Sequence, residues 1–301
     1  MESSHPMLRL LASSVRHRRT FFFPLLFCLF ASLPLTAQDR PLRTPDAETV
    51  PAGTLRTEAG FDFLQDDRIP FSALSGDLTS VGVLDERLGV GNIVEVELQG
   101  TVRNFLNIKS QGASFTPLHL SSNNSTNDVG DFSLWTKVRI FGEQKRRPAM
   151  AFRFGFEMPN SNQAKGIGTN TTNVFASVIL EKHFGKLKVF GDAGLGILQA
   201  PLTTFSQNDV LIYGGAFVYS LHRRLNLVGE AQGRFSSRTI SKDLVGTESH
   251  SLARVGLQIF AGGFQWDVAG IAGLTKQDPK SGFTFGVSRD IHLFKVPGES
   301  K

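Results

Sequence analysis

Charged side chains stand at alternate positions inside some of the most apolar stretches of this sequence. Residues 131–161 read DFSLWTKVRIFGEQKRRPAMAFRFGFEMPNS. Lys137, Arg139, Arg153 and Glu157 hold one parity there, and Val138, Ile140, Phe152, Phe154 and Phe156 hold the other. The same arrangement gives a polar set of Arg56, Glu58, Glu95, Glu97, Arg103, Glu181, Lys188, Asp192, Glu230, Arg234 and Arg254. Trp135 and Phe190 fall on the same parity as these charges. Mixed positive and negative groups on one face can pair with each other or line a polar passage, which would then have no strong ion preference. Both outcomes, a salt-bridged plug and a narrow channel, fit the pattern.

Enzymatic patterns are absent. No G-x-S-x-G, H-E-x-x-H or C-x-x-C occurs. Gly191, Gly194 and Gly196 lie inside an alternating stretch with no helix after it, so they read as small interior residues and not as a nucleotide loop. Lys165 to Thr169 (KGIGT) lacks the spacing of a phosphate cradle. No two of His119, His183, His222, His250 and His292 have ligand spacing. His250 between Ser249 and Ser251 is the one candidate for hydrolytic chemistry. The expectation is a protein without cofactor, metal or catalytic site.

The elements that must position the charged face are strands, because a period of two residues is the signature of a pleated chain with two unlike faces. Leu55, Ala59, Phe61 and Phe63 alternate with Arg56, Glu58, Gly60 and Asp62, and similar stretches recur almost to the end, near Leu293. Between Leu78 and Val90 the parity slips: Val81 and Val83 share one side, Leu84, Leu88 and Val90 the other, as a β-bulge would produce. Counting that stretch, the sequence offers twelve strands. Short connections (91–92, 142–148, 185–186, 222–224 and 261–263) alternate with longer ones rich in Ser, Thr, Asn and Gly (64–76, 107–127, 159–170, 199–208, 236–248 and 275–281).

That alternation describes an all-β, up-and-down antiparallel transmembrane β-barrel of about 12 strands, with short periplasmic turns and long outer loops. A soluble sandwich alternates as well. Against it stand twelve apolar faces with no covering helix, charges in mid-strand, and glycine within strands. Lipid requires every backbone group to be satisfied inside the protein, which a closed sheet achieves.

The termini supply the address. Arg16, Arg18 and Arg19 precede an apolar run from Phe21 to Leu35, ending Leu35, Thr36, Ala37 before Gln38. This reads as a secretory signal peptide over 1–37, too short for the ~20 residues of a spanning helix. The single cysteine, Cys28, lies within it. Without residues 1–37, four arginines and one glutamate are lost and the formal charge of +5 becomes +2, which removes the case for a nucleic-acid partner. The expected organisation is signal peptide 1–37, a periplasmic N-terminal segment 38–53, a barrel over 54–294 and a tail 295–301. The expected location is the outer membrane of a double-membraned bacterium, in contact with outer-membrane lipid and the outer-membrane assembly machinery.

ETVPAGTL at 48–55 leading to Glu58, then GDFSL at 130–134 with Lys137, and residues 213–220 running into 225–230, resemble the outer-membrane family named for the meta-pathway of phenol degradation. The resemblance spans most of the chain after residue 37. It implies a porin-like barrel that passes small-molecule solutes, aromatic or hydrophobic ones among them. The alternative is a non-conducting structural or partner-binding barrel. Barrels commonly end on an aromatic residue, whereas Phe294 here is followed by seven more residues, 295–301.

Overall fold

The computed structural model describes residues 39–203 and 206–295. The expected signal peptide and residues 296–301 of the tail lie outside the described residues. Among the described residues no helix is long and apolar enough to cross a membrane.

Thirteen strand segments carry the fold: β1 (Thr54–Ile69), β2 (Leu74–Gly89), β3 (Val94–Gln111), β4 (Ser125–Asp128), β5 (Phe132–Phe141), β6 (Ala149–Met158) and β7 (Asn173–Phe184), followed by β8 (Leu187–Gln199), β9 (Gln207–His222), β10 (Leu225–Ser236), β11 (His250–Ala261), β12 (Phe264–Gly273) and β13 (Ser281–His292). All pairings are antiparallel between neighbours, and β1 also pairs with β13 from Thr54↔His292 to Gln65↔Ser281. The sheet is therefore a closed barrel of twelve strands, with the four-residue β4 as an annex on the outer part of β3. Asn104↔Asp128 keeps the register of Gln99↔Ser133, so β4 continues the line of β5 across a break at 129–131.

Closure explains the alternation. Phe154, Leu180, Leu195 and Val255 stand exposed on the outside, Leu195 at 65% of its surface. A surface this apolar is stable against acyl chains and not against water. Phenylalanine takes the place of the usual Tyr and Trp at the rims. Phe61 and Phe63 pack on Phe283 (5.9 and 5.6 Å), and Phe264 on Trp266 (6.1 Å).

Two expected loops are largely strand. The 64–76 connection shrinks to residues 70–73, and β3 runs on to Gln111 with β4 inside the expected 107–127 loop. β1, β2 and β3 thus reach beyond the other strands. Their tips join the outer connections in an apolar cluster of Phe71, Leu74, Leu106 and Val245, against which Leu118, Ile167, Leu202 and Ile240 pack.

The slipped parity has a specific cause. Gly82 sits at φ +64, where the β1–β2 register shifts between Gly60 and Phe61. Before it Ser80 is buried and Val81 exposed; after it Val83, Asp85 and Arg87 are buried. Val83 therefore faces the interior, opposite to its expected grouping with Val81. Left-handed backbone strains a β-branched residue, and a Cβ at 82 would meet Val102 Cγ2 at 2.9 Å. Gly82→Val should cost on the order of 1–3 kcal/mol, read as a lower urea midpoint in detergent micelles, with Gly82→Asn less affected. An unchanged midpoint for the valine variant would remove this account of the bulge.

Candidate functional site

Most of the polar parity faces a lumen, but that lumen is occupied. Residues 39–53, expected in the periplasm, lie inside the barrel, where Asp39, Arg40, Thr44, Asp46 and Ala47 are all buried. Pro41, Pro45 and Pro51 keep this segment from forming a helix. A closed sheet offers it no edge, so beyond a turn bond from Leu42 N to Asp39 O and a rim bond from Gly53 N to Gly89 O its backbone turns to wall side chains. Glu230 accepts from the N–H groups of Arg43 (2.9 Å) and Thr44 (2.9 Å). Glu181 accepts from Ala47 N (3.0 Å), and Glu95 from Val50 N (2.6 Å). Gln258 and Gln265 both donate to Arg40 O.

The charges of the segment are paired as well. Asp46 receives Lys188 (2.6 Å) and Lys137 (3.3 Å), and Lys137 also meets Glu95 at 3.0 Å. Lys188 lies 3.5 Å from Glu181. Arg43 reaches Asp62 at 3.2 Å. Asp39 pairs with Arg87, which also meets Asp85 (2.7 Å) and Glu97 (3.4 Å). Arg40 reaches Asp267 and Thr284. Its guanidinium lies over Gly60 and Gly286, neighbours in the β1–β13 ladder, and a Cβ on either would overlap it.

The remaining candidates fall into place around this segment. Glu97 binds Arg153 (2.7 Å), and Arg254 binds Glu230 (2.7 Å). Arg56 makes a two-pronged pair with Asp290 (2.8 and 2.9 Å). Phe190 packs in a small apolar cluster with Leu42 of the segment, Ala216, Val218 and Val228. Glu58 is buried and its carboxylate oxygens have no hydrogen-bond partner. Glu157 accepts from Asn173 (2.7 Å) on the loop side, and Arg139 donates to Asn92 O at the short-turn rim. Arg103 does not line the lumen. It is exposed opposite the outward Val81 and donates to Asn127, because β2 and β3 have both changed face beyond Gly82.

Above the segment, on the side of the long loops, is a cavity of about 550 Å³. Its floor includes Arg43, Thr44 and Pro45, and Phe71 and Ile167 of the apolar loop cluster border it. Asp192, Arg234, Trp135 and Phe175 line its wall. Trp135 stacks on Phe175 with ring centroids 5.3 Å apart, and the Arg153 guanidinium lies 3.8 Å from the Trp135 ring centroid. Arg234 donates to Glu248 O at 2.8 Å.

His250 also borders this cavity and its Nδ1 is 2.8 Å from Asp278 Oδ1. Burial would raise the Asp278 carboxyl, but hydrogen bonds from Ser251 N, Thr275 and His250 hold it below the usual carboxylate range. Ser251 Oγ donates to Gln232 O at 3.4 Å, and Ser249 Oγ accepts from Ser236 N, so neither serine is arranged as a nucleophile on His250. At the short-turn rim, Glu48, Glu181 and His183 bring ligand atoms within 4.8 Å of one another. Lys188 already lies 4.0 Å from Glu48 and 3.5 Å from Glu181, filling the role of the cation there. Glu143 in the adjacent turn is held well below its usual value by hydrogen bonds from Lys182 and then His183.

Asp39, Arg40, Arg43, Asp46, Asp85 and Arg87 were missing from the sequence-derived set. The bulge hid Asp85 and Arg87. For the segment, the available signal was five charges within 39–48 beside Pro41 and Pro45, unusual for an idle linker.

No protein-family model matches the sequence, and no curated protein does. Among solved structures, an outer-membrane channel from Pseudomonas putida F1 is similar at 16% identity and a TM-score of 0.58, over 82% of this chain and 98% of that one. The NanC porin follows at 9% identity and a TM-score of 0.44, over 80% of this chain and 100% of that one. The translocator domain of the autotransporter NalP from Neisseria meningitidis has 10% identity and a TM-score of 0.40, over 80% and 87%. The first of these likenesses establishes the fold as that of an outer-membrane channel.

Asp46 is the segment's most heavily paired anchor. Asp46→Ala would leave Lys137 and Lys188 short of an anion, and breaking a buried pair in this way costs about 3–5 kcal/mol. Denaturant titration in micelles measures it. A loss under about 1 kcal/mol, the range of an exposed pair, would refute the anchoring role.

Proposed function

We propose that this protein is a passive outer-membrane channel for small solutes whose bore is set by residues 39–53. The observation that carries the reading is the 550 Å³ cavity above a segment held by ion pairs. That volume falls in the ~300–1,000 Å³ range of small-molecule sites. Its wall mixes both signs of charge with an aromatic pair, Trp135 and Phe175, a lining suited to small aromatic or hydrophobic solutes that also carry a polar group. This fits the resemblance to the barrels named for the meta-pathway of phenol degradation. The outer membrane is the location, with outer-membrane lipid against the apolar face and the outer-membrane assembly machinery as the route of insertion. No cofactor and no catalytic step enter.

A second reading, a non-conducting barrel, draws support from the apolar loop cluster of Phe71, Leu74, Leu106 and Val245. With the segment below, it would confine the cavity from both sides.

Planar-bilayer recording separates the two. The channel reading expects small conductance steps, altered in Arg153→Ala, and steps several-fold larger once residues 39–49 are deleted. Silence from both the intact protein and the deletion variant, with folding verified by gel mobility, would favour the non-conducting barrel.

A further inference from the structure

Another cavity lies on the opposite side of residues 39–53. It measures about 530 Å³ and reaches the short-turn rim, where Lys186, His222 and Arg223 border it. Lys188, which binds Asp46, and Val218, which packs with Leu42, place it beneath the segment. The ends of β7 to β11 form its wall.

Its charge is one-sided. Lys186, Lys188, Arg223, His183 and His222 line it, and among the described residues no carboxylate does. The cavity on the long-loop side differs, with four arginines bordering it against four acids. Two of the five basic groups are engaged: Lys188 by Asp46 (2.6 Å), Glu181 (3.5 Å) and Glu48 (4.0 Å), and His183 by Glu143 (2.6 Å) and Glu181 (3.8 Å). Lys186, Arg223 and His222 form no ion pair among the described residues. His222 Nδ1 accepts from Arg224 N at 3.4 Å, which leaves the proton of the neutral ring on Nε2 as a donor.

The surroundings do not restore a balance. Turns 142–148, 185–186 and 222–224 carry Lys145, Arg146, Arg147, Lys186, Arg223 and Arg224 against one acid, Glu143, and turns 91–92 and 261–263 carry no charge. Glu143 is itself committed to Lys182 and His183. Charge of one sign gathered at a low-dielectric mouth concentrates ions of the other sign. Part of the lining is apolar, with Val218 and Phe260 buried and Leu221 at the rim. A bare inorganic anion gains nothing from those side chains, whereas an anion with a small hydrocarbon body can bury itself against them.

We propose that this lower cavity binds small organic carboxylates, with Lys186, Arg223 and His222 holding the carboxylate and Val218, Leu221 and Phe260 the hydrocarbon. Its volume falls in the ~300–1,000 Å³ range of small-molecule sites. As a stage in transport, below the segment as the larger cavity is above it, the site rests on the channel reading. As a binding site it does not.

The test uses the purified protein in micelles of an uncharged detergent. Fluorine NMR follows the binding of para-fluorobenzoate and of para-fluorobenzylammonium, which share a body and differ in charge. The benzoate should bind saturably and the ammonium at least about five-fold more weakly. Lys186→Gln combined with Arg223→Gln, both in exposed turns, should weaken the benzoate by about five-fold, as expected for two solvent-exposed ion contacts. Absence of saturable benzoate binding overturns the proposal. So does equal affinity for the ammonium, or an unchanged affinity in the double variant with folding verified by gel mobility. Bilayer recording on the same preparation keeps the two readings apart: binding without conductance sustains the site and removes the channel, and conductance without binding does the reverse.

Discussion

A sheet closed into a barrel has no free edge, and a backbone placed inside it must find its partners in its own turns, at the barrel's rim or, for the most part, among side chains. Residues 39–53 meet that constraint by borrowing the wall's acids. Glu230, Glu181 and Glu95 accept N–H groups that a neighbouring strand would otherwise take. The glutamines Gln258 and Gln265 supply the donor for Arg40 O. Side chains that by type alone suggest a charged pore lining act here as substitutes for β-ladder bonds. The occupied interior follows from this need.

Charge pairing then fixes the register of the segment. Buried ion pairs contribute little net stability over apolar packing, because desolvation offsets most of the attraction. They are, however, intolerant of displacement. If the segment slid by one residue, Asp46 would leave Lys137 and Lys188 and the Arg43 guanidinium would leave Asp62, each left buried without its counter-charge. The apolar contact is smaller by comparison, with Leu42 against Phe190, Val218 and Val228 and Ala47 against Ala149, Ala151 and Ile179. A segment held by many position-specific pairs and little grease is precisely placed yet separable in principle, since the charges it would uncover can be met by water.

The fold was legible because lipid imposes a period-two code on every strand, and Phe152, Phe154 and Phe156 against Arg153 and Glu157 state that code openly. What stayed hidden depends on three-dimensional closure. The flip at Gly82 moved Asp85 and Arg87 to the lumen and Arg103 to the outside, and a glycine's φ is not written in its neighbours. The lengths of β1, β2 and β3 were masked by polar residues such as Asp66, Asp67 and Lys109, which belong on strands rising clear of the apolar band. Inward parity was readable for Lys137, Lys188 and Glu230, but their partners were not, since Asp46 lies 91 and 142 residues from the two lysines in sequence.

The interior glycines tie these threads together. Gly60 and Gly286 leave room for the Arg40 guanidinium, Gly89 for the Pro51 carbonyl, and Gly214 for Thr44. Glycine weakens a strand, so four of them placed against one segment are hard to ascribe to the sheet's own needs. They widen the bore at the points where the segment then fills it. The strand number therefore sets only an upper limit on the open interior, and the residues laid along the carved wall determine how much of it stays unfilled.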